Sequence, residues 1–355
     1  MKIAVLVSGG VDSSVALNLL KDQGHDLTAF YLKIWLEDEL ASLGTCPWEE
    51  DLSYVRAVCK QLDVPLKVIS LQQEYWDYVV SYTIKEIKSG RTPNPDIFCN
   101  KLIKFGFFFK KISADFDKVA TGHYAQVTER DGISYLSSAP DQVKDQTYFL
   151  SYLDQSQLSK TLFPIGQFTK DHVRQLAHTY NLPNKERKDS QGICFLGKLK
   201  FDQFIKYHLG EKPGDIIEAE TGTVLGRHKG FWYHTIGQRR KSGLSGGPWY
   251  VVSKDTEKNI VYVSKDYYSE DKQRDRFEVS HINWIAGQPP SKHKLHVKLR
   301  HGKKKYDAKI TYTTNNSAKV MLACSDQGIA PGQFAVFYDD RVCLGGGVIT
   351  RSVIA

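Results

Sequence analysis

The sequence predicts an α/β chain with three parts: an N-terminal parallel-sheet domain over residues 1–205, a small β-rich central domain over 206–272 and a C-terminal β-barrel over 273–355. Three observations carry this. In the first part short apolar runs alternate with stretches whose apolar residues recur at helical spacing, as in a parallel sheet covered on both faces. In the second, Pro213-Gly214, Thr221-Gly222, Ser242-Gly243 and Ser245-Gly246-Gly247-Pro248 punctuate short apolar runs, the pattern of turns joining strands. In the third, Leu295, Val297 and Leu299 alternate with His296, Lys298 and Arg300, the period of a strand with two unlike faces. A length of 355 residues also exceeds what a single core usually serves.

The elements follow in chain order. Residues 3–7, 27–34, 66–71 and 118–121 read as short buried strands. Leu52, Val55, Val58, Cys59 and Leu62 lie on one helical face behind Glu49-Glu50-Asp51, a favourable charge for a helix start. Further helices are expected over 74–88, closed by Gly90, and over 171–180, capped by Thr169. Barrel strands are expected from His293 onward and over 309–313, 319–323 and 334–338.

Composition narrows the class. The chain has 48 basic and 40 acidic residues, a net charge of +8, which suits a polyanionic partner without demanding one. The basic residues cluster as Lys101/Lys104/Lys110/Lys111, Lys185/Arg187/Lys188, Arg239/Arg240/Lys241 and Lys298/Arg300/Lys303/Lys304/Lys305, several beside aromatics able to stack on bases. No apolar run approaches the roughly 18 residues that cross a bilayer, and residues 3–7 are too short for a signal peptide, so a cytoplasmic protein is expected. The cysteines at 46, 59, 99, 194, 324 and 343 include no pair at metal-site spacing, so neither a structural metal nor an iron–sulfur cluster is expected.

The first strand runs into Ser8-Gly9-Gly10-Val11-Asp12-Ser13-Ser14 and then a helix carrying Val15, Leu19 and Leu20. Glycines let the backbone approach anionic oxygens, the serine hydroxyls donate, and the helix N-terminus adds partial positive charge. Asp12 is placed to help hold Mg²⁺ between phosphates. A Gly-Gly turn before a helix is common, but Ser-Gly-Gly-x-Asp-Ser directly after a first strand is far rarer. The loop has neither the lysine of a Walker motif nor the glycine spacing of a dinucleotide fold. It resembles the loop of the PP-loop ATP pyrophosphatases, which adenylate an oxygen and release pyrophosphate. In that group a later strand end also approaches the nucleotide, and Thr121-Gly122-His123-Tyr124 stands where it belongs.

Two cysteines lie in polar segments. Arg91-Thr92-Pro93-Asn94-Pro95-Asp96-Ile97-Phe98-Cys99-Asn100 reads as a proline-stiffened loop, and a helix beginning near Cys99 with Lys101 and Lys104 in its first turns would favour the thiolate. Cys194 lies in Lys188-Asp189-Ser190-Gln191-Gly192-Ile193-Cys194-Phe195. Cys46, Cys59, Cys324 and Cys343 are read as buried structural thiols.

Over essentially its whole length the chain resembles the tRNA-specific 2-thiouridylase family. The residues that carry this are the 8–14 loop, Gly90 to Asp96 through Cys99-Asn100, Thr121-Gly122-His123-Tyr124, Lys144-Asp145-Gln146, Gly192-Ile193-Cys194-Phe195, Tyr233-His234-Thr235-Ile236-Gly237-Gln238-Arg239 and Cys343-Leu344-Gly345-Gly346-Gly347. The resemblance implies that Cys99 is the nucleophile, that Cys194 carries a persulfide, and that the two can form a disulfide. It implies ATP contacts from Leu6, Val7, Ser8, Gly9, Gly10, Val11, Asp12, Ser13, Leu32 and Gly122. Asn94, Pro95 and Asp96 would surround the target base, with Asp96, the only carboxylate of that loop, as acid/base. His123, Lys144, Asp145, Gln146, Arg300, His301 and Gln333 would meet the tRNA; the family pattern has tyrosine where this chain has His301. The barrel would grip the anticodon arm through Lys298, Arg300 and Lys303 to Lys305. Implied partners are tRNAs for Lys, Glu and Gln, thiolated at the wobble uridine, and a cysteine desulfurase or sulfur-relay protein as donor. With no leader expected before Met1-Lys2, a bacterial source is expected. Two other readings stand beside this one: a PP-loop ligase joining nitrogen to an adenylated carbonyl, and a non-enzymatic RNA-binding module.

Overall fold

The computed structural model describes residues 1–34, 48–112, 114–189, 200–240 and 244–354. Cys46, Lys241, the turn at Ser242-Gly243 and the stretch from Ser190 through Cys194 to Phe195 lie outside the described residues.

The N-terminal sheet contains β1 (Lys2–Leu6), β2 (Asp26–Lys33), β3 (Leu66–Ser70) and β4 (Lys118–Thr121); the hairpin β5 (Ala125–Arg130) and β6 (Ile133–Ser138) follows, and β7 (Thr161–Leu162) completes the sheet. Its order is β3-β2-β1-β4-β7 and every pairing is parallel. Alternation within β1 sorts the two faces. Ile3, Val5 and Val7 pack under helix α1 (Val11–Asp22), helix α2 (Trp48–Leu62) and the helix Lys170–Thr179, while Ala4 and Leu6 face the helical stretches between Gln72 and Ile112. The Thr169 side chain caps its helix as expected, accepting from the His172 N–H at 3.3 Å. β3 is an edge strand and mostly exposed, where a buried strand is expected: it has a neighbour on one side only, so much of its surface meets solvent.

The central sheet contains β8 (Gly214–Glu218), β9 (Val224–His228), β10 (Arg239–Arg240), β11 (Trp249–Asp255) and β12 (Ile260–Ser264). It encloses Ile216, Phe231, Trp249, Val251, Val261 and Val263. The helix Phe201–Leu209 spans the expected 205/206 boundary.

The barrel is built from β13 (Arg274–Trp284), β14 (Lys294–Lys298), β15 (Tyr306–Thr314), β16 (Ser317–Leu322), β17 (Phe334–Asp339) and β18 (Val342–Ile354). It closes because β13 pairs with both β16 and β18, which leaves no free edge inside the ring. The glycines of β18 permit this crossing: a Cβ on Gly345 would lie 1.9 Å from the Asn283 carbonyl oxygen, and one on Gly347 2.5 Å from Val279 Cγ1. β18 also pairs with β6, so a hairpin of the N-terminal domain extends the barrel sheet and ties the two domains together.

Candidate functional site

The phosphate loop sits at the C-terminal end of β1, where the strand order turns from β2 on one side to β4 on the other, the position at which open α/β sheets take their ligands. Leu6 to Ser13 form one continuous strand, loop and helix start, and Gly9 has φ of +78°. A Cβ on Gly9 would lie 2.6 Å from the Asp51 carbonyl oxygen, so glycine is required there. The loop is braced from within: the Ser8 N–H donates to Ser13 Oγ at 3.2 Å, and the Ser13 and Ser14 hydroxyls donate to the Gly10 carbonyl at 3.0 and 3.1 Å. Buried Asn184 braces it from outside, donating through Nδ2 to the Gly9 carbonyl at 2.7 Å and to Ser14 Oγ at 2.9 Å. Gly122 follows β4, and a Cβ there would lie 2.7 Å from the Ser13 nitrogen. Leu32 lies near the end of β2 and packs partly buried against the same core as Leu6.

Around the loop lies a charge network that the sequence does not announce. Asp12 Oδ1 accepts from Tyr124 Oη at 2.8 Å and from Lys170 Nζ at 2.7 Å. Lys170 reaches Asp189 at 2.7 Å, and Asp189 also pairs with Lys144 and Arg174, each at 2.6 Å. Burial alone would raise the Asp189 carboxyl; hydrogen bonds from Lys144 and Lys170 outweigh it and bring it down to about 2. Burial and the neighbouring Asp12 carboxylate push the Tyr124 phenol far up, so it stays a donor. Arg187 pairs with Asp51 and lies over the Tyr54 ring at 4.9 Å.

Cys99 is buried, in the same apolar cluster as Leu6, Ile97, Ile103 and Phe105. The helix expected to begin near Cys99 begins earlier, at Pro95, because Asn94 caps it, accepting from the Ile97 N–H at 3.4 Å, with Pro95 in the first position. Cys99 therefore opens a π-helical stretch, Cys99–Phe107, and it is Asp96 that occupies the first turn, where the helix dipole favours a carboxylate. Lys101 is taken up by Asp154 at 2.6 Å. Next to Cys99, Asn100 donates to the Phe149 carbonyl at 3.2 Å, and its Oδ1 is buried with no partner. The barrel presses on this loop: the Thr92 N–H donates to the Pro331 carbonyl at 2.9 Å, and Gly332 packs against Arg91 and Thr92 so closely that a Cβ would lie 2.8 Å from Arg91 Cβ. Gln333 follows at once, its Oε1 accepting from the Ala330 N–H at 3.0 Å.

His123 donates or accepts through Nδ1 at Thr121 Oγ1, 2.7 Å away, beside the rings of Phe105 and Phe163. Burial and the nearby Lys104 charge hold it well below the usual histidine range, so it is neutral at pH 7. Gln146 holds the Tyr124 backbone, its Oε1 accepting from the Tyr124 N–H at 2.9 Å.

Two expected surface groups turn inward. Asp145 and Lys298 form a buried ion pair at 2.7 Å, with side-chain exposures of 2% and 3%, and Thr147 donates to Asp145 Oδ1 at 2.9 Å. Lys298 thus has no exposed amine for a phosphate: its side of β14 faces the N-terminal domain, not solvent. His301 rests on the same seam, stacked on Phe149 with ring centroids 4.9 Å apart and bonded to the Asp145 carbonyl at 3.1 Å. Arg300, more than half exposed, pairs with Asp326, while Lys303 and Lys304 are exposed and Lys305 donates to the Asp340 carbonyl at 2.7 Å. Cys59 and Cys343 are buried as expected; Cys324 is exposed, because it follows the end of β16 where the chain leaves the barrel. Lys170, Arg174 and Asn184 carry no sequence signal that separates them from ordinary helix and loop residues. Cys194, the expected partner of Cys99, lies outside the described residues. Among those described, no group of three His, Cys, Asp or Glu side chains is arranged to hold a metal ion, and no helix is long and apolar enough to cross a membrane.

Comparison with known proteins follows the same three-part division. Residues 1–198 match the family model described as tRNA methyl transferase HUP domain, 202–265 the tRNA methyl transferase PRC-barrel domain, and 274–349 the aminomethyltransferase beta-barrel domain. The chain is 47% identical over 360 residues to the tRNA-specific 2-thiouridylase MnmA of Parabacteroides distasonis, covering 98% of this chain and 99% of that one. It is 45% identical over 357 residues to the tRNA-specific 2-thiouridylase MnmA 1 of Bacteroides thetaiotaomicron, covering 99% and 100%. Among solved structures, the U34-tRNA thiolase NcsA from Methanococcus maripaludis with its [4Fe-4S] cluster aligns at a TM-score of 0.36 and 19% identity, covering 59% of this chain and 68% of that one, too loose a likeness to argue from.

Proposed function

Because the chain belongs to the tRNA-specific 2-thiouridylase family, we propose that it replaces the 2-oxygen of the wobble uridine, position 34 of tRNA, with sulfur, using ATP to activate the oxygen and a cysteine persulfide as sulfur source. The observation that chiefly supports this is the placement of the phosphate loop and Gly122 at the β1/β4 switch point, with Cys99 buried in the same apolar cluster as Leu6, the last residue of β1.

The chemistry needs each part. The uracil 2-oxygen is a poor leaving group until it becomes part of a phosphate ester. Mg-ATP enters as substrate: backbone N–H groups at the start of α1 and the Ser8 hydroxyl hold its phosphates, with the Ser13 hydroxyl joining them once it turns from the Gly10 carbonyl, and the 2-oxygen attacks the α-phosphorus as pyrophosphate leaves. Asp96, beside the base held by Asn94 and Pro95, takes the N3 proton. Two routes then deliver sulfur. In one, the Cys99 thiolate attacks the inner sulfur of the Cys194 persulfide, forming a Cys99–Cys194 disulfide and freeing hydrosulfide, which adds to C2 and expels AMP. In the other, the outer sulfur attacks C2 directly and Cys99 then breaks the remaining S–S bond. Either way a thiol reductant resets the disulfide, and a cysteine desulfurase or sulfur-relay protein reloads Cys194.

The base must leave the anticodon stack to reach this site, at a cost of a few kcal/mol that neighbouring contacts offset. His123, Lys144, Gln146, Arg300, His301 and Gln333 are assigned to the tRNA by the family resemblance, and the exposure of Lys303 and Lys304 supports a phosphate contact from the barrel; the substrates in this reading are the tRNAs for Lys, Glu and Gln, and the setting is the cytoplasm.

The test is direct. Protein incubated with Mg-ATP, a sulfide source and unmodified tRNA should yield 2-thiouridine by mass spectrometry together with AMP and pyrophosphate. Cys99→Ser should abolish thiouridine while leaving tRNA affinity unchanged. Pyrophosphate released only on adding a small carboxylate, with no thiouridine, would move the chain to the PP-loop ligases.

A further inference from the structure

A phosphate loop without a basic residue must find its cation elsewhere, and residues 8–14 contain none. Helix N-terminal charge is only about half a unit, whereas a triphosphate brings several negative charges and its departing pyrophosphate gains another. We propose that Lys170, far from the loop in sequence, is the missing cation: a catalytic residue whose ammonium contacts the β- and γ-phosphates of ATP and stabilises the pyrophosphate as the bond between the α-phosphorus and its bridging oxygen breaks. This rests on the ATP-dependent reading above.

The geometry places the amine at the loop. Lys170 Nζ lies 2.7 Å from Oδ1 of Asp12, the second residue of α1, and its side chain is 12% exposed. Its own helix is fixed from two sides, by the Thr169 cap and by the Lys170 N–H donating to Asp141 Oδ2 at 3.1 Å. The Asp141 carboxylate is further used by the N–H groups of Val143 and Lys144, at 3.0 and 3.2 Å. The backbone from which the amine reaches out is thus fixed, and the amine itself is held by Asp12 and Asp189.

It is also free to change partners. Asp189 is held by Lys144 and Arg174 as well as by Lys170, so it keeps two cations if Lys170 moves. Asp12 Oδ1 keeps the Tyr124 hydroxyl at 2.8 Å. Neither carboxylate is stranded when Lys170 turns to a phosphate, and Asp12 becomes available to the magnesium that accompanies the nucleotide. A lysine is suited to this exchange because it acts as a point charge with no fixed fork to satisfy.

The experiment separates a phosphate contact from a merely structural role. Affinities for a non-hydrolysable ATP analogue with Mg²⁺, and for AMP, are measured by calorimetry on the full chain for wild type, Lys170→Ala, Lys170→Gln and Lys170→Arg. Loss of a charge-assisted hydrogen bond predicts triphosphate affinity lower by roughly 10- to 100-fold in the Ala and Gln variants, AMP affinity within about twofold of wild type, and a partial return in the Arg variant. The Gln variant keeps a donor toward Asp12 and Asp189, so one neutral variant remains measurable if the alanine protein unfolds. Unchanged triphosphate affinity, or equal weakening of triphosphate and AMP, would overturn the assignment. Wild-type protein that fails to prefer triphosphate over AMP would instead remove the ATP reading on which it rests.

Discussion

Two lysine–carboxylate pairs, Lys170 with Asp12 and Lys298 with Asp145, each join segments remote in sequence at the same distance of 2.7 Å. Their surroundings are opposite. The first stands at the rim of the phosphate loop with side-chain exposures of 12% and 31%; the second is sealed between β14 and the N-terminal domain at 3% and 2%. Contact distance therefore says little about role. A sealed pair cannot trade partners without stranding a charge in low dielectric, so it acts as a fastener between domains. A pair at the rim of the loop, with solvent in reach and the Tyr124 hydroxyl still on Asp12, loses less on exchange, which is what the role proposed for Lys170 requires.

The largest expected effect tests the fastener. Lys298→Ala leaves the Asp145 carboxylate buried without its cation, and should lower unfolding stability by about 3–5 kcal/mol. The double replacement Asp145→Asn with Lys298→Met removes both charges while an amide oxygen still accepts from the Ala139 and Thr147 N–H groups, and should recover most of that loss in chemical denaturation. A single variant as stable as wild type would dissolve the distinction between the two pairs. Next in size is Asp12→Asn at the rim: stability should change by less than about 1 kcal/mol, while affinity for an ATP analogue falls about tenfold in the presence of Mg²⁺ and much less in its absence. An equal loss with and without the metal would show that Asp12 serves the loop and not the ion.

The smallest effect concerns pH. The folded Asp189 carboxyl lies at about 2, below its ordinary 3.8, so it binds fewer protons folded than unfolded, and its contribution is full above about pH 4 and lost as pH falls toward 2. Asp189→Asn should flatten the acid limb of the stability curve in that window and leave the curve above pH 5 parallel to wild type. An unchanged acid limb would mean that Lys144 and Lys170 do not hold the carboxylate in solution.

Part of this site was legible in advance for a plain reason. The phosphate loop is local: strand, glycines, serines and helix start are contiguous, and their backbone requirements show in residue types, as the +78° φ of Gly9 confirms. The same holds for the Thr169 cap and for the parallel alternation of the N-terminal domain. The cap that starts the helix carrying Cys99 was written as well, in Asn94 and Pro95, but two prolines drew the reading toward a loop and moved the start to Cys99. Alternation in β14 gave the inward side of Leu295 and Val297 correctly and misled on Lys298, since a strand facing a second domain has two buried faces whatever its charges suggest. The barrel's closing strands β13 and β18 and the hairpin that extends it went unread, because their pairing partners lie far off in the chain.

The sequence by itself determined the order of domains, the phosphate loop, the cysteine of the Asn94-to-Asn100 segment and the family to which the chain belongs, because each is written in contiguous residues or in identity along the whole length. Only the tertiary structure decided which charges serve which purpose. A lysine's role depends on what solvent reaches it and which carboxylate faces it, and both are set by pairings across the chain, such as Lys170 with Asp12 and Lys298 with Asp145, that no local pattern encodes.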